Sequence, residues 1–153
     1  MHLSRRTLAA SLAASLIAPP GYAAEPATPE EAKVLAEKAA EHMKLVGPEK
    51  AIADFSDANA GYVDRELFVV VYGPDNRVAS SDGVPVLRGQ DATTLKEVDG
   101  KEFGKESIAL AKSAGSGWSE YRMTTPVTKK VGLKASWVVR VGDYILFVGA
   151  FKG

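Results

Sequence analysis

The chain has 153 residues, of which 46% are hydrophobic and 25% are charged, with 19 basic and 19 acidic residues. These are the proportions of an ordinary globular protein, and they argue against a disordered or membrane-embedded one. No block of like charge stands out, which argues against nucleic acid or an anionic membrane surface as a partner. Cysteine is absent, so disulfides, thiolate metal sites and thiol chemistry are excluded.

Residues 1–23 have the features of a secretory signal peptide. A pair of arginines precedes an apolar stretch over residues 8–18, and Ala23 suits a signal peptidase. Because the apolar stretch is too short to span a bilayer, we predict cleavage after Ala23, following export by the general secretory or the twin-arginine route. Residues 24–153 are then expected to form one periplasmic domain that does not insert into the membrane.

A long helix is predicted to follow the signal peptide. Thr28 can cap the free backbone amides, Pro29 suits the first helical position and Glu31 completes a capping box. Apolar side chains then recur at steps of three and four residues, which is typical of an amphipathic helix. They are Ala32, Leu35, Ala36, Ala39, Ala40 and Met43. A glycine ends this helix, and a shorter one is expected over residues 48–55.

The middle of the chain changes to the pattern of strands. Residues 67–72 are β-branched or aromatic, which is typical of a buried strand, whereas the polar residues 56–66 are predicted to form a loop. Turn-forming residues at 73–76 lead into an antiparallel return over residues 77–81. A second loop is expected from there to Gly89.

The C-terminal third predicts a helix and a three-stranded meander. Helical spacing begins at Phe103 and ends at two closely spaced glycines. Strands are expected over residues 118–124, which Pro126 ends, over residues 134–141 and over residues 144–151, with a two-residue turn between the last two. The order of two helices, two strands, one helix and three strands predicts an α+β fold, in which helices pack on an antiparallel sheet of about five strands.

Catalysis has little support in the sequence. His42 is the one histidine of residues 24–153, and on a helix beside Glu41 it is expected to be a surface residue. A metal site needs clustered histidine, cysteine or carboxylate ligands, and no serine has a plausible base. We therefore predict that the protein is not an enzyme and has no metal or cofactor.

Aromatic, basic and hydroxyl side chains crowd the first two strands of the meander. Tryptophan and tyrosine provide apolar walls with a polar handle, arginine presents a planar fork that matches a carboxylate, and lysine adds a second positive donor. Such a mixture suits a pocket for a small acid. The candidate ligand-binding residues are Tyr121, Arg122, Lys134, Ser136 and Trp137. The alternative is that the two cations face solvent while the aromatic residues belong to the core.

Much of the mature chain resembles the type 2 single Cache domain, an extracellular sensor module related in shape to PAS domains. The matching segments are residues 69–78, 87–91, 95–103, 117–122, 126–130, 134–138 and 142–151. The resemblance implies a PAS-like fold with a long N-terminal helix, and a pocket between the sheet and the loops that binds small organic acids or similar metabolites. Trp137, where the family often has tyrosine, and residues 80–85, which lack the usual His-Pro character, are departures that bear on ligand size and identity.

Together these features predict a soluble periplasmic Cache-like domain that binds a small carboxylate. Arg122 would engage the carboxylate, Lys134 would assist, and the other candidates, Tyr121, Ser136 and Trp137, would orient and enclose the ligand. Because no second hydrophobic span follows, sensing is expected to act through a membrane receptor or another periplasmic protein. The alternative is a protein-interaction accessory domain with a closed or vestigial pocket, and its alanine-rich first helix would allow a homodimer.

Overall fold

The computed structural model describes residues 25–125 and 128–153. The predicted signal peptide and Pro126 lie outside these described residues. The helices are α1 (Pro29–Val46), α2 (Pro48–Phe55) and α3 (Phe103–Ala114). None of these helices is both long enough and apolar enough to cross a membrane.

Helix α1 begins at the predicted cap. The hydroxyl of Thr28 accepts the backbone N–H of Glu31 at 3.2 Å, and the carboxylate of Glu31 accepts the backbone N–H of Thr28 at 2.7 Å, which completes the capping box. All six residues of the predicted apolar stripe are buried. Gly47 ends the helix and a second helix follows at once. The predictions for both N-terminal helices are confirmed.

The strands of the described residues pair antiparallel throughout. They are β1 (Val63–Asp64), β2 (Leu67–Phe68), β3 (Val70–Tyr72), β4 (Val78–Ser81), β5 (Ser116–Thr124), β6 (Val131–Val141) and β7 (Tyr144–Phe151). β1 and β2 form a small separate hairpin, and the main sheet has the strand order β4-β3-β7-β6-β5. The prediction of an α+β fold with a five-stranded antiparallel sheet is confirmed.

The strand predicted over residues 67–72 is divided in the structure. Its first two residues form β2, which pairs with β1, a strand that lies within the predicted loop. Its last three residues form β3, which joins the main sheet. An apolar run does not indicate which neighbour each of its residues pairs with. Arg65, at a φ of 54°, allows the chain to turn back between β1 and β2.

The first two strands of the meander are longer than predicted. β5 begins at Ser116, so Gly117 belongs to the strand and does not end α3. A Cβ at Gly117 would lie 2.9 Å from Cδ1 of Leu110, so this glycine allows α3 to pack closely on β5. β6 begins at Val131, which pairs with Thr124 at the far end of β5.

The main sheet is covered on both faces. Helix α1 packs on one face, here called the α1 face, and α3 with the loops before it packs on the other, called the α3 face. On β6, Trp137 and Val139 pack towards α1, whereas Ser136 and Val138 belong to the α3 face. This alternation is the one that the period of a strand predicts.

Candidate ligand-binding site

Polar side chains from two neighbouring strands meet on the α3 face, beside a glycine of a third strand. Tyr121 of β5 lies directly opposite Lys134 of β6, and Ser136 of β6 lies directly opposite Gly149 of β7. Residues opposite one another on paired strands share a face of the sheet. Three of the five predicted ligand-binding residues, Tyr121, Lys134 and Ser136, are therefore brought together.

Lys134 occupies an unusual environment for a lysine. Its Nζ lies 5.3 Å from the ring centre of Phe68 and 5.4 Å from that of Phe151, and it forms no ion pair with any of the described residues. Burial lowers the pKa of the Lys134 ammonium to about 8, and the negative charge of Glu66 offsets part of that effect. The site thus holds a cation that has aromatic neighbours but no bonded counter-charge.

Two hydroxyl groups beside Lys134 bond to each other. The phenol of Tyr121 and the hydroxyl of Ser136 are 2.8 Å apart, and both residues are buried. Burial raises the pKa of Tyr121 to about 12, against a smaller opposing effect of the hydrogen bond to Ser136. The phenol is therefore neutral at ordinary pH and available as a hydrogen-bond donor.

Two further hydroxyl groups on this face are buried without a bond. Tyr72 Oη and Ser81 Oγ have no hydrogen-bond partner among the described residues. Tyr72 packs in the same cluster as Tyr121, and Ser81 lies opposite Val70, which also belongs to that cluster. A buried hydroxyl left unbonded costs about 1–3 kcal/mol, so the α3 face retains polar groups that weaken the fold.

Gly149 makes room for the polar group. A Cβ at this position would lie 2.1 Å from Ser136 Oγ and 2.9 Å from Lys134 Cε. Both side chains therefore cross the space that any larger residue would fill, which is a common reason for glycine inside a strand. The same two distances show that Ser136 Oγ and Lys134 Cε are close neighbours.

A surface cavity of about 550 Å³ borders Phe68. It is lined by Ser56, Ala58, Val63, Arg65, Glu66, Leu67, Phe68, Asp82 and Gly83. The ring of Phe68 packs so closely on Gly83 that a Cβ there would lie 2.0 Å from it. Phe68 therefore borders both the cavity and the surroundings of Lys134, whereas Tyr121, Lys134 and Ser136 do not line the cavity.

Arg122 and Trp137 do not join this group. Each is adjacent in sequence to a residue of the α3 face, and consecutive residues of a strand point to opposite faces. The side chain of Arg122 is 62% exposed and its Nε lies 3.8 Å from Asp99. Trp137 packs towards α1, with Lys33 Nζ 4.5 Å from its ring centre. The structure therefore separates two of the five candidates from the other three.

Several residues of the site were missed in the sequence analysis. They are Phe68, Tyr72, Ser81, Gly149 and Phe151. One signal was available, because a glycine in the interior of an apolar strand indicates a close approach by another group. The alternation of β7 is a second signal, since it places both Gly149 and Phe151 on one face. The two orphan hydroxyls lie on β3 and β4, whose pairing with each other the sequence predicts, whereas the pairing of β3 with β7 it does not.

No protein-family model matches the chain, and no curated protein matches it. Solved sensor domains do share its architecture. A Cache chemosensory domain studied for its carboxylic acid recognition is similar at a TM-score of 0.65 and 21% identity, over 81% of this chain and 92% of that one. The chain has the Cache fold.

Two further solved structures support that Cache fold. The periplasmic sensor domain of a chemotaxis protein is similar at a TM-score of 0.61 and 19% identity, over 81% of this chain and 90% of the other. A methyl-accepting chemotaxis protein from Vibrio parahaemolyticus is similar at a TM-score of 0.66 and 14% identity, over 80% and 86% respectively. The resemblance seen in the sequence is thus confirmed for the fold. The division into a signal peptide and one domain over residues 24–153 stays a prediction.

Proposed function

We propose that the protein is a periplasmic sensor domain that binds a small organic carboxylate on the α3 face, with Lys134 as the counter-ion. The observation that carries this proposal is the unpaired ammonium of Lys134 between two aromatic rings, beside buried hydroxyl groups. A carboxylate would supply the missing negative charge, and hydrogen bonds between ionised groups are among the strongest in proteins.

The neighbouring side chains suit the rest of such a ligand. The hydroxyls of Tyr121 and Ser136 lie at strand positions beside Lys134 and can donate to ligand oxygens. The rings of Phe68 and Phe151 provide apolar walls for a short carbon chain. Apolar walls with a few convergent polar groups are typical of small-molecule sites.

This proposal moves the carboxylate contact from Arg122 to Lys134. Arg122 lies on an exposed strand edge beside Asp99, where water and a neighbouring acid compete for its charge. Lys134 is partly buried and has no such competitor among the described residues. A ligand charge therefore gains more free energy at Lys134 than at Arg122.

Two of the similar solved structures support the proposed class of function. One is described for carboxylic acid recognition and another as a periplasmic sensor domain, so we extend both properties to this chain as part of the proposal. Its partner would be a membrane receptor or another periplasmic protein. We propose binding without catalysis: His42, the candidate base, lies 2.7 Å from Asp54 and joins α1 to α2 rather than facing the site.

Thermal unfolding with matched ligands and variants tests the proposal. Acetate and propionate, compared with acetamide and propionamide at equal ionic strength, are expected to raise the Tm by several degrees, since a ligand at a hundred times its Kd contributes about 2.7 kcal/mol. Lys134→Met should abolish the rise, because it removes the charge and keeps most of the length of an unbranched side chain.

Arg122→Met is the matched control on the other face and should respond like the wild type. If Arg122→Met lost the response while Lys134→Met kept it, the carboxylate contact would return to Arg122. If no carboxylate stabilised the wild-type protein, the proposed function would be refuted, and an accessory domain with a closed pocket would become the better hypothesis.

A further inference from the structure

We propose that Lys134 also captures small carbonyl compounds, 2-oxo acids above all, as a reversible imine. This inference rests on the proposed function, because the compound must reach the same group of residues on the α3 face. It adds a covalent mode of binding that a counter-ion role alone does not require.

The geometry sets Lys134 apart from the other lysines of the described residues. Lys44, Lys50, Lys101, Lys105 and Lys152 each pair with a carboxylate, and Lys38 donates to a backbone carbonyl. Lys33, Lys96, Lys112, Lys129 and Lys130 also form no ion pair among the described residues, and Lys33 lies over the ring of Trp137. Lys134 is the described lysine that combines the lack of a partner with two aromatic rings within 5.4 Å of its Nζ. An amine in apolar surroundings is the arrangement in which proteins form imines with carbonyl substrates.

The charge state of the amine favours attack. Only a neutral amine is nucleophilic, and burial lowers the pKa of Lys134 to about 8, whereas an ordinary lysine has a pKa of about 10.4. The charged or titratable groups that face it are Glu66, from the β1–β2 hairpin, and Tyr121, from β5. Glu66 already accepts the backbone N–H of Ala27 at 2.7 Å, and Tyr121 is neutral. About half of the Lys134 amine is therefore free at pH 8.

The reaction balances without any further reactant. The lone pair of Nζ attacks the carbonyl carbon, a C–N bond forms, and the carbonyl oxygen takes one proton from the nitrogen. The resulting carbinolamine then loses its hydroxyl group together with the second amine proton as water, which leaves a C=N bond. Hydrolysis reverses each step, so the adduct is a form of binding and not a modification that accumulates.

A 2-oxo acid suits this site better than a simple aldehyde. Its carboxylate is attracted to the ammonium before reaction, and a protonated imine keeps that positive charge afterwards. The carboxylate can also accept from the hydroxyl of Tyr121, which lies opposite Lys134 on the neighbouring strand. Ser136 Oγ, close to Lys134 Cε, is placed to hydrogen-bond the carbinolamine hydroxyl. Charge and hydroxyl groups thus both favour a compound with adjacent carbonyl and carboxylate.

Reductive trapping on the wild-type protein tests the inference. The protein is incubated at pH 8 with pyruvate and sodium cyanoborohydride, digested, and mapped by mass spectrometry, with lactate as the matched compound that has no carbonyl. We expect an adduct on Lys134 at least tenfold more abundant than on any other lysine, and none with lactate. Adducts spread evenly over the exposed lysines, or absent altogether, would overturn the inference.

Propionate and pyruvate on the wild-type protein separate this inference from the proposed function, since both carry a carboxylate and only pyruvate carries a carbonyl group. Lys134→Arg removes the amine that forms the imine, and we expect it to leave no trapped adduct at position 134. If propionate stabilises the wild type and pyruvate leaves no adduct on Lys134, the imine is refuted and carboxylate binding stands. If neither propionate nor pyruvate has an effect, both proposals fail.

Discussion

The two faces of the main sheet are built on different principles. The α1 face is filled mainly by aliphatic side chains from β3 and β7 against a row of alanines on α1, together with Trp137, whose Nε1 is the one side-chain nitrogen or oxygen of this face's described residues that is buried without a hydrogen bond. On the α3 face, aromatic and aliphatic residues surround buried hydroxyls and the partly buried Lys134. A sheet that needed only to fold would be apolar on both faces, because buried polar groups cost free energy unless they are bonded.

The difference assigns a separate role to each face. Close packing on the α1 face holds the long helix to the sheet and supplies stability. The α3 face gives up part of that stability to keep polar groups in place, as functional sites commonly do. Substitutions on the α1 face should therefore change the unfolding free energy without changing ligand affinity. Substitutions on the α3 face should change ligand affinity, with or without a change in the unfolding free energy.

The largest effect is expected from Leu146→Ala on the α1 face. Leu146 is fully buried, and truncating a buried leucine to alanine costs about 2–5 kcal/mol of unfolding free energy. Urea denaturation measures that loss, and titration with propionate under folding conditions should give an unchanged Kd. A Kd that rose in step with the lost stability would show that the two faces are not separate.

A somewhat smaller effect is expected from the titration of Lys134. Its pKa is lowered from 10.5 to about 8 in the folded protein, so between these pH values the unfolded chain binds more protons and stability rises with pH. The full gain is about 3 kcal/mol at 1.36 kcal/mol per pKa unit. Below pH 8 the ammonium is charged in both states, and the folded protein bears the whole cost of burying it.

The wild type and Lys134→Met are compared to isolate this gain. Burial raises the pKa values of Tyr72 and Tyr121, so above about pH 10 their titration lowers the stability of the folded protein. Because both proteins contain these tyrosines, the effect cancels when the two unfolding free energies are subtracted. We expect Lys134→Met to be the more stable protein at pH 7 and the advantage to shrink as the pH rises to 10.5. A difference independent of pH would show that Lys134 is as well solvated as an exposed lysine.

The smallest effect is expected from Gly149→Ala. The added methyl group would lie 2.1 Å from Ser136 Oγ, and overpacking of this kind costs about 1–3 kcal/mol. Because Ser136 must move, its bond to Tyr121 is weakened and propionate should bind less tightly. The double variant Gly149→Ala/Ser136→Ala should recover part of the stability. If it recovers none, the clash lies with Lys134 rather than with Ser136.

Much of the fold followed from local patterns in the sequence. The capping residues and alanine stripe placed α1, and the turn at residues 142–143 placed β7 with the bounds that the structure shows. The alternation of side chains along β5 and β6 bears on the site as well. Period-two alternation already separates Ser136 from Trp137 and Tyr121 from Arg122, yet the five candidates were grouped by their proximity along the chain.

The sequence by itself determined the elements, their order and the alternation of each strand, because these depend on neighbouring residues and on backbone geometry. The tertiary structure alone decided which side of each strand became the site. Pairing of β3 with β7 brings Tyr72 and Ser81 to the same face as Lys134, and the β1–β2 hairpin places Phe68 above it. These contacts join residues far apart in the chain, and no local pattern encodes them.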